Sequence, residues 1–393
     1  MDLRFSEEEE AFRKELVEFL EREVPPEMEA DYDGLDLSQE QFEFAGVFDK
    51  KLAAKGWLCM HWPKEYGGQA ASITRQLIFN EEMGYRRVPS RASMGINIVG
   101  PAIMLYGNEE QKKRYLSATA RGEAEWCQGF SEPNSGSDLA SLRTTAREES
   151  DCYVVNGQKI WSSRAHHAHY CWLLARTDPQ AAKHKGLTTF AVDMKTPGIT
   201  VRPIVTILGS THFCEVFFDD VRVPKDALVG EKNRGWYQAM GTLSFERSGI
   251  GRVSSSRRAL QDLIAYINQN ERYGKPLSQD PIVRQQLAEL QTEIEVARLL
   301  CYRVAWMQSK AKVPSYESSM ARVVGQELSQ KVARAGMKIL GSSSQLMRGT
   351  PGAPVEGNIT RAFLSTISNT IRSGTSEIQR NIIAQRGLGL PRR

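Results

Sequence analysis

An uninterrupted apolar stripe in the C-terminal third most constrains what this chain can fold into. Val283, Leu287, Leu290, Ile294, Ala297, Cys301 and Val304 step by four and three, which keeps them on one face of an α-helix. A stripe that regular needs a second helical face to cover it, in a bundle or at a subunit interface. Another helix is predicted over 318–340, stopping at Gly341. Residues 1–123 are helical in pattern too. Ser6-Glu-Glu-Glu9 is a capping box, in which the serine oxygen takes an orphan N–H and the glutamate reaches back. Phe12, Leu16 and Phe19 follow at helical spacing, and Pro25-Pro26 ends the run. Ser38 to Gln41 repeats the capping signal, and His61-Trp62-Pro63 with Gly67-Gly68 marks a loop around a buried aromatic.

Between residues 124 and 233 the period moves toward two. Cys152 to Trp161 reads as a hairpin, with Asn156-Gly157 as its tight turn. Trp172–Ala175, Leu187–Val192, Ile199–Ile204 and Glu215–Phe218 are further short strands, punctuated as in a small antiparallel barrel or sandwich. The predicted fold class is α+β and multidomain. It has a helical N-terminal domain (1–123), a central antiparallel β-barrel or sandwich domain (124–233) and a C-terminal four-helix bundle (234–393).

Composition excludes several classes. The 51 Lys and Arg against 47 Asp and Glu leave a formal charge of +4, too small and scattered to argue for nucleic acid. No apolar run approaches the ~18 residues of a membrane span, and mean hydropathy is −0.42. The acidic, helix-starting N-terminus reads as neither a secretory nor a transit peptide. Six cysteines without a Cys-x-x-Cys pair read as reduced thiols of a cytoplasmic protein. Dinucleotide, P-loop, serine-hydrolase and zinc-protease motifs are missing. His166, His167 and His169 form the one histidine cluster; neighbours on a strand point to opposite faces, so they read as polar strand-end residues and no metal is expected.

Three segments carry the functional signal. Cys127-Gln-Gly-Phe-Ser-Glu-Pro-Asn-Ser-Gly-Ser-Asp138 is a short loop that exposes backbone N–H groups around Gly136 and Ser137, suited to a pyrophosphate or another anion, or else an ordinary polar turn. Asn156-Gly-Gln-Lys-Ile-Trp-Ser-Ser163 presents an indole and then two hydroxyls; taken alone, a core tryptophan with solvated serines is the favoured reading. Ile371-Arg-Ser-Gly-Thr-Ser-Glu-Ile-Gln-Arg380 breaks at Gly374 before Thr375 or Ser376 caps a last helix.

In this order and spacing the three segments resemble the acyl-CoA dehydrogenase family of flavoproteins, over essentially the whole chain. The resemblance implies FAD as cofactor and α,β-dehydrogenation of an acyl-CoA thioester to the 2-enoyl-CoA. Residue by residue, Phe130, Ser131, Gly136 and Ser137 match the loop that holds flavin and the start of the acyl-CoA. Trp161 matches the aromatic flanking the flavin ring, Ser163 the hydroxyl near flavin N5, and Thr375 and Glu377 positions touching the dinucleotide. The amide of Ser373, beside Gly374, matches the donor to the thioester carbonyl.

Such an oxidation needs a base for the α-proton while the β-hydrogen leaves as hydride to flavin N5. Many relatives carry a glutamate where this chain has Ser373. The family's second arrangement places the base on an earlier helix, and Gly241-Thr-Leu-Ser-Phe-Glu246-Arg247 matches it, with Glu246 as base and Arg247 orienting it or lining the CoA side. The plainer reading is a solvated charge pair. Asn270 stands where relatives place an arginine for a neighbouring subunit's pyrophosphate, Arg272 being out of register. Lys338-Ile-Leu-Gly341-Ser342 replaces Gln-x-x-Gly-Gly. The lent half of the flavin site is therefore altered, and either Lys338 or Arg272 compensates in a homotetramer or a second dehydrogenase-like subunit completes a heterotetramer. The resemblance also implies electron-transfer flavoprotein as electron acceptor, and its wording leans toward bulky, branched or cyclic acyl groups. A flavin monooxygenase or lyase on the same fold, or a partner subunit of a heteromeric dehydrogenase, are the alternatives.

Overall fold

A computed structural model describes residues 3–32, 34, 36–242, 249–272 and 274–391. In chain order its helices begin with α1 (Glu7–Glu23), α2 (Gln39–Ala54), α3 (Ile73–Tyr85), α4 (Gly100–Tyr106) and α5 (Glu109–Ala120). The strands follow: β1 (Trp126–Gly129), β2 (Thr145–Glu148), β3 (Cys152–Ser163), β4 (Tyr170–Arg176), β5 (Leu187–Asp193), β6 (Ile199–Ile204), β7 (Phe213–Pro224) and β8 (Leu228–Val229). Helices then return as α6 (Gly235–Thr242), α7 (Ile250–Gln269), α8 (Pro281–Ser309), α9 (Tyr316–Leu340), α10 (Asn358–Thr366) and α11 (Ser376–Ile382). The predicted order of helical, β and helical blocks is the observed one.

Two compact units divide the chain, one made of Met1–Gln41, Ser72–Pro89 and Arg247–Arg393, the other of Phe42–Ala71 and Ser90–Glu246. The first unit is helical. The α1 capping box forms as read, the Glu9 amide donating to Ser6 and the Ser6 amide to the Glu9 carboxylate. The predicted stripe lies within α8, where Asp280 caps the start by accepting the Ile282 amide at 2.9 Å. Leu290, Ile294, Ala297, Cys301 and Val304 join Leu260, Leu328 and Val332 in one core cluster, with Leu287 at its edge. α9 ends at Gly341 in the left-handed region, φ 66°. The crossing of α3 and α7 is close enough that a Cβ on Gly84 would come within 2.5 Å of the Gly251 Cα. Only glycine tolerates that approach.

A carboxylate is buried in the same unit. Glu81, 0% exposed, accepts Arg298 Nε at 2.6 Å, the Tyr302 hydroxyl at 2.7 Å and an Arg13 guanidinium nitrogen at 3.1 Å. Burial alone would push its pKa up; the Arg298 and Tyr302 hydrogen bonds and the neighbouring cations outweigh that and leave it below the ordinary 4.5.

In the second unit the sheet runs β6-β7-β3-β2-β4-β5-β8, with β1 paired in parallel to β4. Apart from β1 with β4 and one pairing of β2 with β4, its ladders are antiparallel. Cys127, Val155, Leu173, Phe190, Val216 and Phe218 form its core. Trp62 is fully buried and donates its indole N–H to the Ile96 carbonyl at 3.0 Å. All six cysteines are buried and unbridged.

The expected hairpin at Asn156-Gly157 is not there. β3 runs straight through it, and the pair sits at a bulge where the register to β7 shifts between Val155 and Gly157. Asn156 turns its amide across to β7, donating to the Asp220 carboxylate and accepting the Asp220 amide, both at 2.9 Å. Gly157 has φ 149°, and a Cβ there would come within 2.7 Å of the Thr144 Cα. Glycine is required by a close approach inside a long strand, not by a two-residue turn.

Candidate active site

The first two motif segments meet in the β-containing unit, joined by four bonds from consecutive parts of β3. Lys159 Nζ donates to the Phe130 carbonyl at 3.0 Å and to the Glu132 carboxylate at 2.9 Å. The Ile160 amide donates to the Ser131 carbonyl at 2.9 Å, and the Ser162 hydroxyl to the Gln128 carbonyl at 2.9 Å. Glu132 also accepts the amides of Arg143 at 2.7 Å and Thr144 at 2.8 Å. The loop after β1 is thus pinned at its root while Gly136, Ser137 and Asp138 stay exposed. Glu132 and Ser135 close it with reciprocal backbone bonds at 3.0 Å. Phe130 is 5% exposed, so what it offers a ligand is its backbone.

A second register shift, between Lys159 and Ser162, re-aims the strand. Trp161 adopts φ 62°, a conformation that is strained for a bulky residue and gathers at functional sites. Its indole stays 55% exposed, edge-on to the Phe213 ring at 5.8 Å. Ser163 returns to the ladder opposite Phe213 and is half-buried.

These residues fit a flat, acceptor-rich group such as a flavin. The Trp161 ring offers an open aromatic face, and the Gln128 amide nitrogen is buried and meets no acceptor among the described residues. The loop with small residues at 135–137 has no side chain over Gly136, where an added Cβ would meet nothing within 4 Å.

The helical unit carries the third segment. Ser373 has φ 57° and Gly374 φ 93°, so the chain makes two successive left-handed steps before Thr375 becomes extended. Thr375, not Ser376, caps α11, accepting the Ile378 amide at 3.2 Å. Ser373 and Glu377 are exposed, and the Ser376 hydroxyl is buried without a partner among the described residues. Glu246 and Arg247, the expected base and its neighbour, lie outside the described residues.

Asn270 turns inward on its own helix end, donating to the Tyr266 carbonyl at 2.8 Å. Lys338 lines a groove of about 290 Å³ between α8 and α9, together with Lys331, Arg334, Glu289 and Glu293. Of these, Lys331 pairs with Glu293 at 2.8 Å.

Comparison with known proteins decides the family. The acyl-CoA dehydrogenase N-terminal domain matches residues 6–123, the middle domain 127–221 and the C-terminal domain 233–388. The chain belongs to the acyl-CoA dehydrogenase family. Acyl-CoA dehydrogenase IpdE1 of Mycobacterium tuberculosis is 35% identical over 91% of each chain. Among solved structures, the Tcur3481-Tcur3483 steroid ACAD superposes with a TM-score of 0.91 at 33% identity, covering 100% of both chains. The ChsE4-ChsE5 complex from Mycobacterium tuberculosis gives 0.90 at 34% identity, again over 100% of both. As an acyl-CoA dehydrogenase the chain is an oxidoreductase of a flavoprotein family acting in lipid metabolism.

Two sets of residues in this acyl-CoA dehydrogenase escaped the sequence reading. Lys159 and Glu132 stood inside the quoted motifs, but nothing in their spacing announced that they pair. Lys331 and Arg334 accompany Lys338 at intervals of three and four on α9, a pattern visible in the sequence. In the histidine cluster, His166 Nδ1 lies 3.0 Å from the Cys214 sulfur, and His167 stacks on Phe42 at 4.2 Å. Among the described residues no helix is long and apolar enough to cross a membrane.

Proposed function

We propose that this chain binds FAD and dehydrogenates the Cα–Cβ bond of a bulky, ring-bearing acyl-CoA. The observation that carries the reading is the pinned 130–138 loop lying against the strand that presents Trp161. Phe130, Ser131, Gly136, Ser137, Trp161, Ser163, Thr375 and Glu377 are the proposed cofactor contacts. FAD, when bound, supplies the hydride acceptor. Glu246 removes the α-proton, Arg247 orients it or lines the CoA side, and the Ser373 amide, with Gly374 beside it, donates to the thioester carbonyl with Ser137 at the start of the acyl-CoA. A carboxylate desolvated by the acyl chain rises toward neutrality in pKa, which suits a general base. The ring-bearing substrate is supported by the likeness to the steroid ACAD. Electron-transfer flavoprotein is the proposed electron acceptor, and six buried, unbridged thiols support a reducing, cytoplasmic setting. The proposed domain limits remain 1–123, 124–233 and 234–393. Anaerobic addition of a panel of acyl-CoA thioesters to the FAD-loaded protein tests the reading. Bleaching of the flavin by ring-bearing members supports it, and no bleaching by any member refutes it.

The assembly we propose is a tetramer, and a heterotetramer is favoured by Asn270, which spends its amide on Tyr266 where relatives place an arginine. The likeness to a ChsE4-ChsE5 complex supports the same reading. A missing charge-assisted contact to pyrophosphate costs roughly 1.5–3 kcal/mol. Native mass and flavin stoichiometry test it: four tightly held FAD in a homotetramer would leave Lys338 or Arg272 as the compensating cation and exclude the second subunit.

A further inference from the structure

One fully buried ion in the β-containing unit has no part in the proposed chemistry. Lys159 is 0% exposed, and its partner Glu132 is 9% exposed. Taking an ammonium out of water is costly, and an apolar residue of similar size is often tolerated or better at such a position. The strand neighbours of Lys159 obey that preference: its ladder partner on β7 is Val216, itself 0% exposed. The charge is therefore not what the core needs. It spans from β3 to two acceptors in one loop, the Phe130 carbonyl and the Glu132 carboxylate. Glu132 passes that constraint on through the Arg143 and Thr144 amides, fixing the far end of the same loop. One ammonium thus ties together both ends of residues 130–144.

We propose that Lys159 is the positioning residue of the nucleotide loop, holding residues 130–138 in the one arrangement that receives FAD. The proposal rests on the flavin reading, but the loop arrangement is measurable without flavin. The groups facing the ammonium are the Glu132 carboxylate on the loop, the Cys171 thiol on β4 and the Arg176 guanidinium at the end of β4, the last held by the Leu142 and Ala140 carbonyls. Burial, opposed by the Glu132 charge, pulls the ammonium down to about 8. The loop is pinned by a cation below that pH and by a neutral amine above it.

Full-length wild type, Lys159→Met and the double variant Lys159→Met/Glu132→Gln are compared by amide hydrogen exchange without flavin and by titration with FAD. The double variant also removes the carboxylate that would otherwise be buried alone, so it serves if the single variant does not fold. Amides of 130–138 are expected to exchange at least tenfold faster in the variants while those of β4 and β5 do not change. FAD affinity is expected to fall at least tenfold, and the wild-type affinity to drop as pH rises through about 8, a step missing in Lys159→Met. Unchanged exchange in 130–138 in a folded variant overturns the proposal, as does FAD affinity within twofold of wild type. Should the wild-type chain alone take up no FAD, the altered half-site accounts for it and the exchange rates alone decide the role of Lys159.

Discussion

Glu81 and Arg298 meet at 2.6 Å across α3 and α8, with the carboxylate wholly shielded from water. Glu81→Gln keeps the shape but removes the buried charge that Arg298 and Arg13 share, leaving them Glu295 at 3.4 Å and Glu82 at 3.3 Å. Breaking a buried pair from one side commonly costs about 3–5 kcal/mol, and urea unfolding is expected to show a loss of that order. The sign with pH follows from the depressed carboxyl. Its contribution is fully present above the ordinary 4.5 and is lost as pH falls through the lower folded value. On acidification from 4.5 down to the folded value, wild type should lose stability faster than Glu81→Gln; parallel curves over that range would contradict it.

Gly84→Ala is expected to destabilise the helical unit, because the added methyl group meets the Gly251 backbone and neither helix can yield alone. Overpacking of this kind costs about 1–3 kcal/mol. Thermal melts should show it, and a gain in stability, the usual result of Gly→Ala on a free helix face, would mean the crossing is looser than described.

Trp161→Gly separates backbone strain from ligand contact. Glycine accepts φ 62° without penalty, and an indole that is 55% exposed adds little to the core. The melting temperature of the flavin-free protein is expected to stay near wild type while FAD binding weakens markedly. Equal losses of both would show that the indole serves the fold.

Glu246→Gln should cut turnover by at least ~10²-fold with FAD and acyl-CoA binding retained. Stopped-flow reduction by a reactive thioester measures the step directly. Wild-type rates in that variant would move the base elsewhere, first to the Ser373 loop.

How far the sequence spoke depended on the range of each interaction. The α8 stripe was legible because a helix buries residues three and four apart, and Leu290, Ile294, Ala297, Cys301 and Val304 are the core residues it named. The Ser6 and Asp280 caps act over two or three residues, and the first was read correctly. Asn156-Gly157 misled because its local turn preference was overridden by pairing with β7, 61 residues away at Phe218. Lys159 and Glu132 stand 27 residues apart, and the local sequence around neither one announces the pairing. The site motifs were legible as a pattern, whereas the bonds that make them one structure were not.

The burial of every sulfur has a practical consequence. Burial pushes the Cys59 thiol up to about 11 and the Cys301 thiol up to about 12, and raises Cys214; the contact with Cys171, and then burial, raises Cys127. Since thiolates and not thiols react with maleimides, the native chain is nearly silent toward such reagents while folded. A single cysteine placed at an exposed position such as Ser137 would then take a fluorophore alone, without removing any of the six. The chain is ready for one-site labelling as it stands, and any label beyond the first would report that the fold had opened.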